Sequence, residues 1–194
     1  MNNKLIEIEN YAYKNDIPIM QKVGIDFLCE FIKKNNVKNI LEIGSAIGYS
    51  AIKMALISSD IKVLTIERDI DRYNEAVKNI KEMNLEDQIT IRLEDALESK
   101  VEGSFDLIFI DAAKAQYIKF FNKYSVNLNK NGYIISDNMD FHGLTKNVKE
   151  IKSKNLRQLV TKINKYKDFL NNNEEFNTNF YEIGDGIAIS SRKE

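Results

Sequence analysis

The sequence predicts an α/β fold in which a doubly wound, mostly parallel seven-stranded sheet ends in an antiparallel hairpin. Three observations carry this. Short apolar runs recur at 37–44, 61–67, 88–95, 105–112 and 133–138. Segments with helical spacing separate most of them. Two further strand-like runs flank Asp185-Gly186, a turn dipeptide, near the end of the chain. Strands alternating with helices are the sequence form of a parallel sheet covered on both faces.

Taken in order, 1–36 reads as a helical segment packing on the sheet, with its clearest helix over 20–34. VKNILEIG is an apolar run ending in glycine, the pattern of a buried strand. A helix follows over 49–57, then the strand IKVLTIE. The next helix, 69–83, places Tyr73, Ala76, Val77 and Ile80 on one face. QITIRLED alternates like a strand, and FDLIFIDA is too apolar to have a wet face. Residues 115–128 read as a helix closed by Asn131-Gly132, before the strand YIISDN. A long amphipathic helix over 152–170 turns Leu156, Leu159, Val160, Ile163 and Leu170 inward. FNTNFYEIG and GIAISSRK form the hairpin, so one terminal strand runs antiparallel. At 194 residues, the chain is expected to be a single domain spanning 1–194.

Composition narrows the setting. Cys29 is the only cysteine, so no disulfide forms within the chain, and Cys29 reads as a core residue. No apolar run approaches the roughly 18 residues that span a bilayer. The first residues show no signal-peptide core, so the expected location is cytoplasmic, with no membrane partner. No cluster of Cys and His suggests zinc.

In open α/β sheets, ligands bind beyond the carboxyl ends of the strands. The first strand ends LEIGSAIGYS, where Gly44 and Gly48 bracket a tight turn into a helix whose free N–H groups suit a carboxylate. The spacing is GxxxG, not the GxGxxG of dinucleotide enzymes. The second strand ends at Glu67, suited to the hydroxyls of a ribose, and the third at Glu94-Asp95-Ala96, suited to an adenine edge. Each feature has a plainer reading: many α/β turns carry two glycines, and an acid at a strand end is often solvated. The ordered set of Glu42, Gly44, Glu67 and Asp95 is the stronger signal.

Asp111 closes FDLIFID, and Asp137-Asn138 closes YIISDN. Two carboxylates and an amide carbonyl are hard oxygen ligands and suit Mg²⁺ or a similar divalent cation. An Asp at a strand end can also be a loop cap.

The LEIG…GYSA stretch and the acids that follow it resemble the class I S-adenosylmethionine-dependent O-methyltransferases of the catechol and caffeoyl-CoA type, which share a Rossmann-like sheet. The resemblance implies cofactor contacts at Met20, Glu42, Gly44, Ser50, Glu67, Asp95, Ala96 and Asp111. It maps a metal triad onto Asp111, Asp137 and Asn138, and a catalytic lysine onto Lys114, with Asp111 beside it in the catalytic set. Lys114 can equally be a solvated lysine at a helix start. His142 can line the acceptor pocket or be incidental. Tyr117, Phe120, Phe121 and Tyr124 read as helix packing.

The stretch 142–168 carries Lys146, Lys149, Lys152, Lys154, Arg157, Lys162, Lys165 and Lys167 against Glu150 and Asp168. It is thus +6, leaving −7 elsewhere for the total of −1. A positive segment beside the acidic motif attracts phosphates, although a lysine run is often only a solvated face. FIDAAKAQYIKFFNKYSVNL, SDNMDFHGL, NLRQLVTKINKYKDFL and GDGIAIS together resemble the bacterial tRNA 5-hydroxyuridine methyltransferases. That resemblance implies a homodimer that methylates wobble 5-hydroxyuridine in the tRNA anticodon loop to 5-methoxyuridine. RNA contacts then fall on Lys146, Lys149, Lys154 and Arg157. The alternatives are a small-molecule O-methyltransferase acting on catechol-like vicinal hydroxyls, and a non-catalytic nucleotide- or RNA-binding module.

Overall fold

The computed structural model describes residues 2–140 and 153–194. His142, Lys146, Lys149 and Lys152 lie outside the described residues. The strands are β1 (Asn39–Ile43), β2 (Lys62–Glu67), β3 (Ile89–Leu93), β4 (Phe105–Ile110), β5 (Leu128–Ser136), β6 (Phe176–Tyr181) and β7 (Ile187–Arg192). The helices are α1 (Asn2–Lys14), α2 (Lys22–Lys34), α3 (Tyr49–Ala55), α4 (Ile70–Glu82), α5 (Tyr117–Tyr124) and α6 (Lys154–Asn171).

One seven-stranded sheet runs in the order β3-β2-β1-β4-β5-β7-β6. The first five strands pair in parallel, and β7 lies antiparallel between β5 and β6. The expected α/β sheet with a terminal antiparallel hairpin is therefore what the chain forms. Strand order reverses between β1 and β4, which opens a crevice at their carboxyl ends.

Period-two alternation divides the core. In β4, Leu107 and Phe109 face a cluster with Ile8, Ile25, Leu28 and Ile52 of α1, α2 and α3. Ile108 and Ile110 face the opposite cluster, with Tyr117, Phe121 and Tyr124 of α5 and Tyr166 and Leu170 of α6. Both faces are buried from Leu107 to Ile110, which is why LIFI is continuously apolar. The Tyr49 hydroxyl donates to Glu9 Oε1 at 2.6 Å and so ties α1 to the start of α3.

Several expectations need correction. The helix expected over 115–128 is shorter: a 3₁₀ turn (Lys114–Gln116), then α5, then a second 3₁₀ turn (Ser125–Asn127). Asn131-Gly132 does not end it but lies inside β5, where the register with β4 shifts between Phe105 and Leu107. A side chain at 132 would come within 2.9 Å of the Asp106 carbonyl, so the glycine serves close strand approach. No helix joins β3 to β4. On α4, Val77 is exposed, while Asn79 is buried and donates to the Ile47 carbonyl at 2.9 Å. On α6, Leu156 and Leu159 are only half-buried, and Tyr166 takes a core position that the pattern did not mark.

Candidate active site

A cavity of about 500 Å³ fills the crevice at the carboxyl ends of β1, β2, β4 and β5. Met20, Gly44, Ser50, Glu67, Asp95, Ala96, Asp111, Lys114, Asp137 and Asn138 all line it. Glu42 does not, and neither Lys154 nor Arg157 of α6 reaches it. Both of these α6 residues are exposed.

At one end, the loop after β1 turns on Gly44, with φ +97°. A Cβ there would lie 2.2 Å from the Asp111 carbonyl, so this glycine lets the β1 loop pass β4. Space for a ligand is not what demands it. Glu67 braces the loop: Oε2 accepts from the Ala46 N–H at 2.8 Å, and Oε1 accepts from the Arg68 and Asp69 N–H groups at 2.9 Å each. A carboxylate has roughly four lone-pair positions, so one stays open in this arrangement. Holding a diol with both oxygens requires Glu67 to release a backbone contact.

Glu42 lies beneath the floor, fully buried. It accepts from the Ser50 hydroxyl and the Thr65 hydroxyl, each at 2.5 Å. Burial pushes its carboxyl up to about 7, against the pull of those two donors. It therefore acts on the cavity through Ser50. Asp95 is exposed at the rim and folds its own turn, accepting from Leu97 N–H at 2.8 Å.

At the other end, β4 and β5 are neighbours and bring Asp111 beside Asp137 and Asn138, as expected. Asn138 Nδ2 donates to Asp111 Oδ1 at 3.2 Å and to Asp137 Oδ2 at 3.0 Å. Lys114 Nζ donates to the same Asp111 oxygen at 3.2 Å. Asn138 holds φ +61°, a left-handed conformation that asparagine tolerates and that turns the residue back toward β4. Asp137 is 3% exposed, and burial followed by the Asp111 charge pushes its carboxyl up to about 7.

Two converging carboxylates, one of them buried, form an electrostatic deficit that a cation relieves. The oxygen donor set fits a hard divalent ion. Among the described residues, no group of three or more His, Cys, Asp or Glu side chains forms a metal cage; the Asn138 amide stands beside the two carboxylates.

Other residues join the site without having been singled out. Ser45 and Gln116 line the cavity, and each has a buried oxygen, Ser45 Oγ and Gln116 Oε1, with no partner among the described residues. Asp185 also lines it, and its charge helps to raise Asp137. Phe120 packs in the core yet reaches the cavity wall. For Ser45 the signal was available, since it stands between the two glycines. For Asp185, the turn dipeptide masked it.

Residues 2–193 match the O-methyltransferase family. A caffeoyl-CoA O-methyltransferase from Populus kitakamiensis is 30% identical over 176 residues, covering 86% of this chain and 74% of the relative. A solved Staphylococcus aureus structure, assigned to the caffeoyl-CoA O-methyltransferases, superposes with TM-score 0.93 at 40% identity. It covers 97% of this chain and 92% of that one. An O-methyltransferase from Bacillus cereus, solved in complex with SAH, has TM-score 0.83 at 24% identity over 98% of this chain and 91% of that one, a likeness of fold.

Proposed function

The chain belongs to the O-methyltransferase family, and we propose that it transfers a methyl group from S-adenosylmethionine, with the help of a divalent cation such as Mg²⁺, to the 5-hydroxyl of 5-hydroxyuridine at the wobble position of tRNA. The observation that carries this reading is the meeting of Asp111, Asp137 and Asn138 at one end of a cavity whose other end is built from the Gly44 loop and Glu67.

S-adenosylmethionine supplies an electrophilic methyl group on a sulfonium. The SAH bound by the Bacillus cereus protein is the demethylated form of that donor. Gly44 and Ser50, which line the cavity, would take the methionine portion, Glu67 the ribose, and Asp95 with Ala96 the adenine. Met20 lines the cavity from the segment before α2, and Asp111 would stand between donor and acceptor. Glu42 positions Ser50 from below.

A divalent cation lowers the pKa of a hydroxyl bound to it. Asp111, Asp137 and Asn138 would hold it. Asn138 now turns its amide nitrogen to both carboxylates, so holding a cation calls for the amide to rotate and present its oxygen. Lys114, whose ammonium donates to Asp111, would orient the acceptor hydroxyl, or take its proton after giving up its own to solvent.

The acceptor assignment rests on the basic 142–168 stretch and on the resemblance, over nearly the full chain, to the tRNA 5-hydroxyuridine methyltransferases. It also rests on chemistry: O5 and O4 of 5-hydroxyuridine are vicinal and can chelate one cation. An anticodon loop presents unpaired bases that can enter a pocket. Lys146, Lys149, Lys154 and Arg157 are the proposed RNA contacts, in a cytoplasmic homodimer. Mass spectrometry of tRNA nucleosides from cells with and without the gene tests this. Loss of 5-methoxyuridine with a gain of 5-hydroxyuridine is expected. Unchanged 5-methoxyuridine overturns it.

A second reading has its own support. The Populus relative is a caffeoyl-CoA enzyme, and no α6 residue lines the cavity. Methyl transfer to a vicinal-hydroxyl small molecule, with none to tRNA, would favour that reading.

A further inference from the structure

We propose that Gln116 reads the adenine of the methyl donor, its amide spanning the exocyclic N6–H and the ring N7. The inference rests on the donor reading above and assigns it a contact that no sequence motif marked.

The first observation is an unpaired atom. Gln116 lines the cavity, and its Oε1 is buried with no hydrogen-bond partner among the described residues. A buried carbonyl without a donor is costly, so it calls for a donor on whatever fills the cavity.

The second observation is position. Gln116 stands at the N-cap of α5, and Phe120 and Tyr124 follow at helical spacing. That face leans on the loop after β3. The Tyr124 hydroxyl donates to the Ala96 carbonyl at 2.5 Å, and Lys123 Nζ donates to the Leu97 carbonyl at 2.5 Å. Phe120 and Leu97 line the cavity beside Gln116 and supply apolar walls suited to a flat ring.

The third step is chemical matching. The donor carries N–H groups at its ammonium and its adenine amine, and O–H groups on its ribose. On the donor reading above, the ammonium and ribose would go to the Gly44 loop and Glu67, which leaves the adenine for the loop that α5 leans on. A glutamine amide accepts from N6–H through Oε1 and donates to N7 through Nε2, the bidentate pattern by which Gln and Asn read adenine elsewhere. Asp95 and Ala96 then face the opposite, Watson–Crick edge. The adenine is held on two edges, which excludes bases lacking an amine beside N7.

Calorimetric titration of SAH and of its 7-deaza analogue, in which N7 is a carbon, separates the possibilities. Wild-type protein is expected to bind SAH about tenfold more tightly than the analogue, since one hydrogen bond is lost. Gln116→Leu is expected to weaken SAH binding by about tenfold or more and to erase the preference. Gln116→Glu keeps the acceptor for N6–H but opposes N7, so it is expected to favour the analogue. The wild-type comparison stands even if a variant misfolds. Equal wild-type affinity for the two ligands, or a Gln116→Leu variant that keeps the preference, overturns the assignment while leaving the donor reading intact. Failure of wild-type protein to bind SAH overturns both.

Discussion

Glu42 holds the most constrained carboxylate at the site. It is fully buried, both of its oxygens are taken by hydroxyls, and its pKa stands at about 7 rather than the ordinary 4.5. The folded state therefore favours the protonated form. The stability this confers is complete below the ordinary value and is lost as pH rises through about 7. Asp137, also raised to about 7, adds a slope of the same sign. In chelator, the melting temperature of the wild-type protein is expected to fall between about pH 5 and pH 8, and Glu42→Gln to flatten part of that fall. An unchanged slope in the variant would remove Glu42 from this role. Lys114 offers a second residue-scale test. Its ammonium is 3.2 Å from Asp111 and 15% exposed, and the proposed function assigns it to the acceptor hydroxyl. Lys114→Ala is expected to lower kcat by about 10²-fold or more with little change in melting temperature. Full turnover with an unaltered pH–rate profile would contradict it.

Strand ends turn these residues into a site. Asp111 and Asp137 are brought together because β4 and β5 pair in register, Ile110 opposite Ser136. Ser136 is in turn fixed by the Tyr166 hydroxyl of α6 at 2.8 Å, and the Tyr117 hydroxyl of α5 donates to the Asp137 carbonyl at 3.2 Å. Tyr166→Phe leaves the Ser136 hydroxyl without its partner in a dry setting. It is expected to cost about 1 kcal/mol in urea denaturation. No loss at all would mean that the serine re-pairs locally. The sequence made the strands and the acids at their tips legible because buried parallel strands write their length as apolar runs. It did not make Tyr166 legible, because a tyrosine in a lysine-rich helix looks amphipathic whichever way it points. Asn131-Gly132 misled for a related reason: the same dipeptide ends a helix or eases a strand past its neighbour, and only the contact with Asp106 decides. Gln116 was hidden because an unpaired buried amide leaves no mark in spacing.

Over the whole molecule, charge is divided between an acidic body and a basic 142–168 stretch. Lys154 and Arg157 open α6 and are exposed. If this surface holds tRNA through phosphates, affinity falls steeply as salt rises. Lys154→Glu together with Arg157→Glu is expected to weaken tRNA binding in a mobility-shift assay and to flatten its salt dependence, leaving SAH binding unchanged. A salt-insensitive tRNA complex would point away from binding through phosphates. The proposed function depends on the site: two strand tips bring Asp111, Asp137 and Asn138 together, where a divalent cation would hold the acceptor hydroxyl beside the donor. The most direct test measures methyl transfer from labelled S-adenosylmethionine to tRNA containing 5-hydroxyuridine, after exhaustive chelation and again with Mg²⁺ restored. Transfer that disappears with chelation, returns with Mg²⁺ and fails to return in Asp137→Asn is the expected result. Transfer that persists undiminished without the cation, or in Asp137→Asn, would contradict it.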